Sequence, residues 1–590
     1  MTFTRLFDLL PYCEQKFPKN DALAAKEHGK WVTYSTKDYI DYSTNLAYGL
    51  LALGVQREDK IGIMANNRPE WNFADMATIM AGAIDVPVYP TISDNDLEFI
   101  IKDAEIKYFF VTGKELHEKV KRCAAKFDCV KNIFCFDAFE GGQDWKEILA
   151  AGKKNPDAAK LNSIKDSIKP TDLATILYTS GTTGNPKGVM LSHDNILSQV
   201  KAVRRLMPVD HRHKALSFLP LNHVYERMLT YNCFACGTSI YYAESIDTIS
   251  ANLQEVKPHI FTTVPRLLEK VYDRIVAKGN ELTGIKKNLF FWALKLGLRF
   301  EMDGRNGWWY ETQLKLARKL IFIKWKQALG GELIATISGG AALQERLARV
   351  FWAAEIPVLQ GYGLTETSPV VAVNYLDPGC NCFGTVGPVI DGVEVKIAED
   401  GEILVKGPNI MLGYYKNPAA TAEAITDGWF HTGDIGMFDQ GKYLKITDRK
   451  KEIFKTSGGK YITPGSIENS LRESPFIEQA MVIGENQKFA SALIVPAFGY
   501  LKDYAKKQSV AYSTNEDMIK NETVKGWIRD EVEKINKSLA QYESIKRFEL
   551  IAHEWTIDKG ELTPKLSLKR KIILKNCNPL VEKIYGSESL

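Results

Sequence analysis

The sequence predicts an α/β fold, with a large multi-subdomain N-terminal region of mostly parallel sheets flanked by helices and a small mobile α+β domain at the C-terminus. Its 590 residues exceed what one hydrophobic core holds. Short apolar strands alternate with amphipathic helices through the first 270 residues, as units on parallel sheets require. A charged cluster at 448–452 then predicts a hinge between domains 1–447 and 448–590.

The predicted strands are short apolar runs bounded by helix-like segments. In the N-terminal region they are 60–64, 83–88, 108–111 and 173–178. After the last of these, Ser192 predicts the N-cap of a helix that runs through Ile196 and Val200. Near the hinge, 442–446 resembles a strand, and 479–484 and 490–496 predict two strands of the smaller domain.

Residues 281–329 form a basic, tryptophan-rich insert. They hold ten Lys or Arg residues and four of the eleven tryptophans. Leu289, Trp292, Leu296 and Phe300 recur at helical spacing. Two interpretations fit this pattern: a helix lying on a membrane surface, and a helical hairpin packed on the body with a solvated basic side.

Composition narrows the class of protein. A net charge of +4 is small for this length and gives no indication of a nucleic-acid partner. No apolar run approaches a bilayer span and the N-terminus lacks a signal-peptide pattern. We therefore expect a cytoplasmic protein, with peripheral contact at the inner face of the cell membrane through the insert. Nine cysteines fit reduced, buried thiols, including the pairs Cys233/Cys236 and Cys380/Cys382.

The most informative stretch is Tyr-Thr-Ser-Gly-Thr-Thr-Gly-Asn-Pro-Lys-Gly-Val at 178–189. Its glycines allow backbone N–H groups to approach an anion, its hydroxyls add donors, and Lys187 adds a positive charge. The spacing is not that of a P-loop, and no dinucleotide fingerprint is present. The stretch therefore predicts a phosphate-binding loop of an uncommon type.

Two further clusters suit the rest of a nucleotide. In 359–369, Tyr362 suits adenine stacking, Thr365 an α-phosphate and Glu366 a Mg²⁺ ion. In 427–434, Asp434 follows a tight turn and suits two ribose hydroxyls, which Arg449 would approach from the second domain.

Together these stretches resemble the adenylate-forming (ANL) superfamily of acyl-CoA synthetases, peptide-synthetase adenylation domains and luciferases, over nearly the whole chain. Within it the chain looks most like the long-chain fatty acid–CoA ligases. The stretches behind that narrower resemblance are 67–71, 82–91, 217–227 and 338–342, together with the insert.

The resemblance implies a two-step reaction. A long-chain fatty acid carboxylate and ATP give acyl-AMP and pyrophosphate, and coenzyme A then takes the acyl group and releases AMP. ATP, Mg²⁺ and coenzyme A are the implied cofactors. The smaller domain is implied to rotate about a hinge that includes Asp448 and Lys451.

The resemblance also assigns residues by matching positions. The implied catalytic set is Lys187, His223, Thr365, Glu366 and Lys569, with Thr182 and Glu366 as metal ligands. The implied nucleotide-binding set is Thr179, Ser180, Gly181, Thr182, Thr183, Gly184, Gly339, Gly340, Ala341, Gln360, Gly361, Tyr362, Gly363, Thr365, Asp434, Ile446 and Arg449. His223 would lie beside the acyl carboxylate, or serve as a packed core histidine. Phe218, Leu219, Tyr231 and Phe234 suit either an acyl channel or the core.

The sequence departs from the family at two places. The segment 454–462 is one residue longer than in many relatives, and its Gly458 and Gly459 are expected to line the coenzyme A thiol channel. The adenylation lysine is replaced by Ser567, with Lys565 and Lys569 two residues to either side. Lys569 is the expected substitute, and two solvated surface lysines are the alternative.

Two other functions stay open from the sequence. One is a ligase that passes acyl-AMP to a carrier protein instead of coenzyme A. The other is a non-catalytic lipid-binding or membrane scaffold, which the serine at 567 motivates.

Overall fold

A computed structural model describes residues 3–179, 185–245, 247–556, 559–563 and 568–586. The chain divides into two compact units. The first comprises Met1–Val395, Leu404–His431 and Asp439–Leu444, and the second Lys396–Ile403, Thr432–Phe438 and Lys445–Leu590. Two segments before the expected boundary at 447/448 thus cluster with the C-terminal residues, and that boundary stays a prediction.

The first unit contains strands and helices in alternation. Its strands up to residue 373 are β1 (Leu23–Glu27), β2 (Lys30–Tyr34), β3 (Lys60–Met64), β4 (Ile84–Pro87), β5 (Ile106–Val111), β6 (Asn132–Cys135), β7 (Gln143–Asp144), β8 (Leu173–Thr179), β9 (Lys187–Ser192), β10 (Lys214–Ser217), β11 (Ser239–Tyr242), β12 (Ile260–Thr263), β13 (Ala335–Ser338), β14 (Val358–Gly363) and β15 (Val370–Val373). Its helices are α1 (Leu9–Lys16), α2 (Thr36–Ala52), α3 (Pro69–Met80), α4 (Asp94–Ala104), α5 (Gly113–Ala124), α6 (Trp145–Lys154), α7 (Ala158–Ser167), α8 (His193–Arg204), α9 (Val224–Ala235), α10 (Ile249–Val256), α11 (Pro265–Glu281), α12 (Gly284–Leu298), α13 (Trp308–Ala317), α14 (Ile323–Ala328), α15 (Glu345–Ala353) and α16 (Pro418–Ala424).

Six strands follow between residues 394 and 449. They are β16 (Glu394–Ile397), β17 (Glu402–Lys406), β18 (Gly413–Tyr414), β19 (Ile425–Thr426), β20 (Trp429–Asp439) and β21 (Tyr443–Arg449).

The rest of the second unit is a small α+β body. Its strands are β22 (Phe454–Lys455), β23 (Tyr461–Ile462), β24 (Ile477–Ile483), β25 (Ser491–Pro496) and β26 (Arg547–Leu550). Its helices are α17 (Pro464–Leu471), α18 (Phe498–Lys507), α19 (Asn515–Lys520), α20 (Glu522–Asn536), α21 (Arg570–Asn576) and α22 (Asn578–Tyr585). The order β24-β25-β26 combines an antiparallel and a parallel pair.

Two eight-stranded sheets organise the first unit. One has the order β15-β14-β13-β12-β10-β11-β1-β2, and the other β18-β9-β8-β4-β3-β5-β6-β7. The central neighbours in both are parallel, as in the pairs β12–β13 and β3–β5, and the antiparallel pairs lie toward the edges. The predicted α/β class with mostly parallel sheets is therefore confirmed.

Local sequence explains how the segments around the site fold. The apolar run 173–178 lies in β8, where it is largely buried. Ser192 is the N-cap of α8, as predicted: its side chain accepts the N–H of Asn195, and the Asn195 side chain accepts the N–H of Ser192. This capping places the start of α8 directly after β9.

One side of the basic insert packs against the rest of the first unit, and the other side is exposed. Of the predicted stripe, Leu296 and Phe300 are buried in a core shared with α15, whereas Leu289 and Trp292 are half-buried. On the next helical segment Trp308 is 78% and Trp309 61% exposed. The insert is therefore a packed hairpin with an aromatic outer face, and contact of that face with a membrane stays a prediction.

The cysteines follow their local surroundings. Cys233 in α9 and Cys236, which follows the helix directly, are buried, as expected. Cys380 and Cys382 are only half-buried because they lie in the loop that follows β15. Across the described part of the chain, no helix has the length and apolar content to cross a bilayer.

Candidate active site

The ends of β8 and β9 hold the two sides of the predicted phosphate loop. Thr179 and Lys187 face each other in the antiparallel register, and the Thr179 hydroxyl donates to the Lys187 carbonyl at 3.5 Å. The loop residues between them, Ser180, Gly181, Thr182, Thr183 and Gly184, lie outside the described residues. The framework therefore fixes where the loop leaves and rejoins the sheet.

The Thr-Glu pair lies in a tight turn between β14 and β15. Thr365 is buried and Glu366 half-buried. Gly363 permits the turn, since a Cβ there would lie 1.8 Å from the Pro369 carbonyl oxygen. Gln360, Gly361 and Tyr362 are half-buried on the preceding residues of β14.

Tyr414 brings the lysine and the glutamate of these two segments together. Its hydroxyl donates to Glu366 Oε1 at 3.0 Å, and Lys187 Nζ lies 4.8 Å from its ring centroid. β18, which ends at Tyr414, pairs antiparallel with β9. One side chain thus contacts two of the predicted catalytic residues.

Electrostatics keep Tyr414 a hydrogen-bond donor. Burial, and then the neighbouring Glu366 carboxylate, hold the pKa of the Tyr414 phenol well above its usual range. A neutral phenol donates to the carboxylate and leaves its negative charge intact.

The metal-binding side chains at this site fit Mg²⁺ better than a metal whose ligands all come from the protein. Glu366 offers a hard carboxylate oxygen, and within the described ranges no cluster of three or more His, Cys, Asp or Glu suits a metal. Mg²⁺ is usually held by one or two carboxylates with substrate phosphates and waters. The other predicted ligand, Thr182, lies outside the described residues.

His223 lies at the N-terminus of α9. Its Nδ1 accepts the Tyr225 N–H at 3.1 Å, so the imidazole caps the helix. The Tyr225 hydroxyl donates to the Ile337 carbonyl at 3.0 Å, and a Cβ on Gly339 would lie 3.3 Å from the Tyr225 ring. The predicted acyl-carboxylate residue and the glycines after β13 therefore lie on either side of Tyr225.

The glycine motif after β13 is open. Gly339 is buried, whereas Gly340 and Ala341 are exposed. Gly340 has a φ of +82°, a conformation that favours glycine. The residues after β10, after β13 and at the end of β14 follow parallel strands and so share the carboxyl edge of one sheet, where ligands of α/β folds bind.

A buried charge network anchors α9. Arg227 Nη2 lies 2.5 Å from Asp75 Oδ1 and 2.8 Å from Asp85 Oδ2, and its Nη1 donates to the Thr175 hydroxyl at 2.8 Å. Burial raises the pKa of Asp85 to about 8, although Arg227 opposes the shift. The network ties the helix that begins after His223 to β8, the strand that enters the phosphate loop.

The four side chains predicted for an acyl channel differ in how deeply they are buried. Tyr231 and Phe234 belong to the main hydrophobic core, and the Tyr231 hydroxyl donates to Asp75. Phe218 and Leu219 are half-buried. A cavity of about 20 Å³ lies between α9 and the sheet, lined by apolar side chains, by Glu226 and by the hydroxyl residues Ser217, Thr230 and Thr262.

The predicted ribose residues lie together in the second unit. Arg449 Nε is 3.4 Å from Asp434 Oδ1, and the Asp434 side chain is 6% exposed. Ile446 is half-buried on the same strand as Arg449.

The predicted hinge residues lie at and just after the end of β21. Asp448 is buried and accepts the N–H of Gly465 at 3.1 Å, whereas Lys451 is exposed. Gly458 and Gly459 are exposed between β22 and β23. Lys569 is the half-buried N-cap of α21, and Ser567 and Lys565 lie outside the described residues.

Three contributors were not predicted from the sequence. Tyr414 follows a Leu-Gly pair that predicts no site, Arg227 ends the stretch 217–227, and Glu402 begins the short strand β17. A charged residue within an apolar segment was the available sequence signal: Asp85 in the buried strand β4 indicates a buried partner such as Arg227. No such pattern indicates Tyr414, because its partners are distant in sequence.

Comparisons with known proteins identify the family of this chain. Residues 13–415 match the family model described as AMP-binding enzyme, and 451–589 match the AMP-binding enzyme C-terminal domain. A long-chain-fatty-acid–CoA ligase of Mycobacterium bovis is 34% identical over 572 residues, which are 95% of this chain and 93% of that protein. Long chain acyl-CoA synthetase 4 of Arabidopsis thaliana is 31% identical, covering 98% of this chain and 91% of that protein.

Solved structures share the fold. An anthranilate–CoA ligase in complex with anthranoyl-AMP matches with a TM-score of 0.75 over 98% of both chains, at 17% identity. At that identity the likeness concerns the fold alone, and the sequence relatives supply the family. The chain therefore belongs to the AMP-binding enzyme family, in which it is similar over nearly its whole length to long-chain-fatty-acid–CoA ligases.

Proposed function

We propose that this protein is an AMP-forming long-chain fatty acid–CoA ligase. It converts a long-chain fatty acid, ATP and coenzyme A into acyl-CoA, AMP and pyrophosphate. The observation that supports this proposal best is the contact of Tyr414 with both Lys187 and Glu366. It brings a positive charge suited to phosphate and a carboxylate suited to Mg²⁺ to one place.

In the first step a carboxylate oxygen of the fatty acid attacks the α-phosphorus of ATP. The bond from that phosphorus to the pyrophosphate oxygen breaks, and acyl-AMP forms. Because an anion attacks a polyanion, the site must supply positive charge and donors. Lys187 would supply positive charge, the loop N–H groups would supply donors, and Thr365 would bind the α-phosphate. Glu366 and Thr182 would hold Mg²⁺, which would neutralise charge on the phosphates.

The remaining residues position the substrates. Tyr362 stacks on adenine between the glycines of β14 and those after β13. Asp434 accepts the ribose hydroxyls with Arg449 beside it. His223 lies next to the acyl carboxylate, and its position at the N-terminus of α9 beside Tyr225 supports that role.

In the second step the coenzyme A thiol gives its proton to water and attacks the acyl carbonyl carbon, and AMP leaves with the electrons of the acyl–oxygen bond. Asp448 and Lys451 form the hinge about which the C-terminal domain turns between steps. Gly458 and Gly459 leave an open path for the thiol, because neither has a side chain. Lys569 replaces the missing lysine at 567 in the first step.

Fatty-acid-dependent exchange of pyrophosphate into ATP tests the first step. We expect exchange in the wild type and its loss in Glu366→Gln, with the thermal midpoint retained because size is conserved. Absence of exchange in the wild type would favour the non-catalytic scaffold. Exchange with no coenzyme A-dependent release of AMP would favour a ligase that serves a carrier protein.

The lysine assignment has its own test. Lys569→Ala should lower exchange strongly, whereas Lys571→Ala, an exposed neighbour on α21, should not. Equal activity of the two variants contradicts the assignment of Lys569.

The outer face of the insert supports peripheral membrane contact. Trp309, Leu316, Leu320 and Ile323 recur at helical spacing and are 61%, 50%, 41% and 43% exposed. Lys315, Lys319 and Lys324 are exposed among them. Apolar side chains interspersed with lysines suit the interface of an anionic bilayer.

Cosedimentation with vesicles tests this contact. We expect binding to phosphatidylglycerol-containing vesicles that falls several-fold in the double variant Trp308→Ala/Trp309→Ala. Tyr512→Ala, which removes an exposed aromatic ring from the second unit, is the control. Unchanged binding of the double variant would exclude this face as the membrane contact.

A further inference from the structure

We propose that Glu402 is a positioning residue for ribose recognition, holding β20, which contains Asp434, and β21, which ends at Arg449, in fixed register. The proposal rests on the proposed function, because it takes those two residues as the ribose site. No motif in the sequence indicated Glu402.

The Glu402 carboxylate joins two backbone segments. It is 5% exposed, and its Oε1 accepts the Gly433 N–H at 2.9 Å. Its Oε2 accepts a hydrogen bond from Lys450 Nζ at 2.8 Å. Gly433 precedes Asp434 and Lys450 follows Arg449, so each oxygen holds the neighbour of one ribose residue.

Other contacts repeat the same pairing. The Lys450 N–H donates to the Gly433 carbonyl at 2.8 Å, and Arg449 Nε lies 3.4 Å from Asp434 Oδ1. Lys450 Nζ also lies 2.6 Å from Asp400, which is half exposed. Asp400 first, and then Glu402, raise the pKa of Lys450, so the ammonium stays charged.

The buried carboxylate makes this pairing sensitive to charge. Lys450 is 44% exposed and keeps Asp400 as a partner, so removing the Glu402 charge takes away the buried carboxylate of this pairing. In Glu402→Gln the amide oxygen still accepts from Gly433, but the amide nitrogen faces the Lys450 ammonium. The two segments should then separate slightly at Asp434 and Arg449.

A displaced Asp434 affects contacts to the ribose hydroxyls more than contacts to phosphate or adenine. The diagnostic quantity is therefore the ratio of kcat/KM for ATP to kcat/KM for 2′-deoxy-ATP in fatty acid adenylation. We expect the wild type to prefer ATP and Glu402→Gln to reduce that preference about tenfold, the size of one charge-assisted hydrogen bond. Glu399→Gln makes the same change at an exposed site three residues away and should leave the ratio unchanged.

The outcomes separate the two proposals. A wild type that adenylates fatty acids without preferring ATP over 2′-deoxy-ATP, or a Glu402→Gln variant that loses both activities equally, overturns the positioning role. A wild type that adenylates nothing overturns the proposed function itself and this inference with it.

A second pair of variants keeps the test available if Glu402→Gln fails to fold. Lys450→Met removes the more exposed member of the pair with Glu402 and should also reduce the preference for ATP. Lys450→Arg keeps the charge and should restore it. A preference unchanged in Lys450→Met contradicts the proposal.

Discussion

Replacing Tyr414 by Phe isolates the contact that joins Lys187 to Glu366. The ring beneath the Lys187 ammonium remains, and only the hydroxyl that donates to Glu366 Oε1 at 3.0 Å is lost. Because Tyr414 is 9% exposed, its ring should keep its packing. The change therefore acts on the orientation of the Glu366 carboxylate.

The expected magnitude follows from that one bond. A hydrogen bond to a charged group is worth about 1.5–3 kcal/mol. Glu366 is half-buried, so water replaces part of the lost bond and the lower end of the range applies. About 1.5 kcal/mol corresponds to a fall of roughly tenfold in kcat/KM for adenylation.

Fatty-acid-dependent ATP–pyrophosphate exchange, measured over a range of Mg²⁺ concentrations, is the assay. We expect a lower exchange rate and a higher Mg²⁺ requirement in Tyr414→Phe, with an unchanged thermal midpoint. Tyr415→Phe removes a hydroxyl from the next residue of the chain and is the control. Equal exchange and equal Mg²⁺ dependence in Tyr414→Phe and the wild type would refute the reasoning.

Two further predictions concern stability. Burial raises the pKa of Glu226 to about 7 from an ordinary value of 4.5, although the Ser217 and Thr262 hydroxyls oppose the shift. The folded state thus holds this proton more tightly than the unfolded chain, so its stabilising contribution is complete below pH 4.5 and is lost as pH rises through about 7. Glu226→Gln should flatten the fall in thermal midpoint between about pH 5 and about pH 8, and an identical fall in both proteins would contradict this. Gly363→Ala should sharply lower the thermal midpoint or folded yield, because its Cβ would lie 1.8 Å from a carbonyl oxygen. Gly526→Ala is the control, because no atom lies within 4 Å of the added Cβ in α20, and it should stabilise the protein by about 0.5–1 kcal/mol. Equal thermal midpoints of the two variants would contradict the steric clash expected at Gly363.

Local patterns predicted the framework of the site. The apolar run of β8, the cap at Ser192 and the alternation of strands and helices are properties of neighbouring residues, and the structure confirms them. They were sufficient for the fold class and for the strand and the helix on either side of the predicted loop, and the loop itself stays a prediction.

Contacts between distant segments were not predictable in the same way. Tyr414 meets Lys187 only because β18 pairs with β9, and sequence spacing does not encode that pairing. Arg227 likewise meets Asp75 and Asp85 through the packing of a helix on a sheet. For the insert, the periodicity of apolar residues predicted helices. It did not predict which apolar side chains are exposed, since a buried stripe and an exposed stripe have the same spacing.

Formation of an acyl-CoA thioester tests the central claim most directly. Purified protein is supplied with ATP, Mg²⁺, coenzyme A and fatty acids from octanoate to stearate, and thioester and AMP are quantified together. We predict equal amounts of acyl-CoA and AMP, with the highest rates for the long chains. AMP or acyl-AMP formed without any thioester, or no turnover with any chain length, would contradict the assignment as a long-chain fatty acid–CoA ligase.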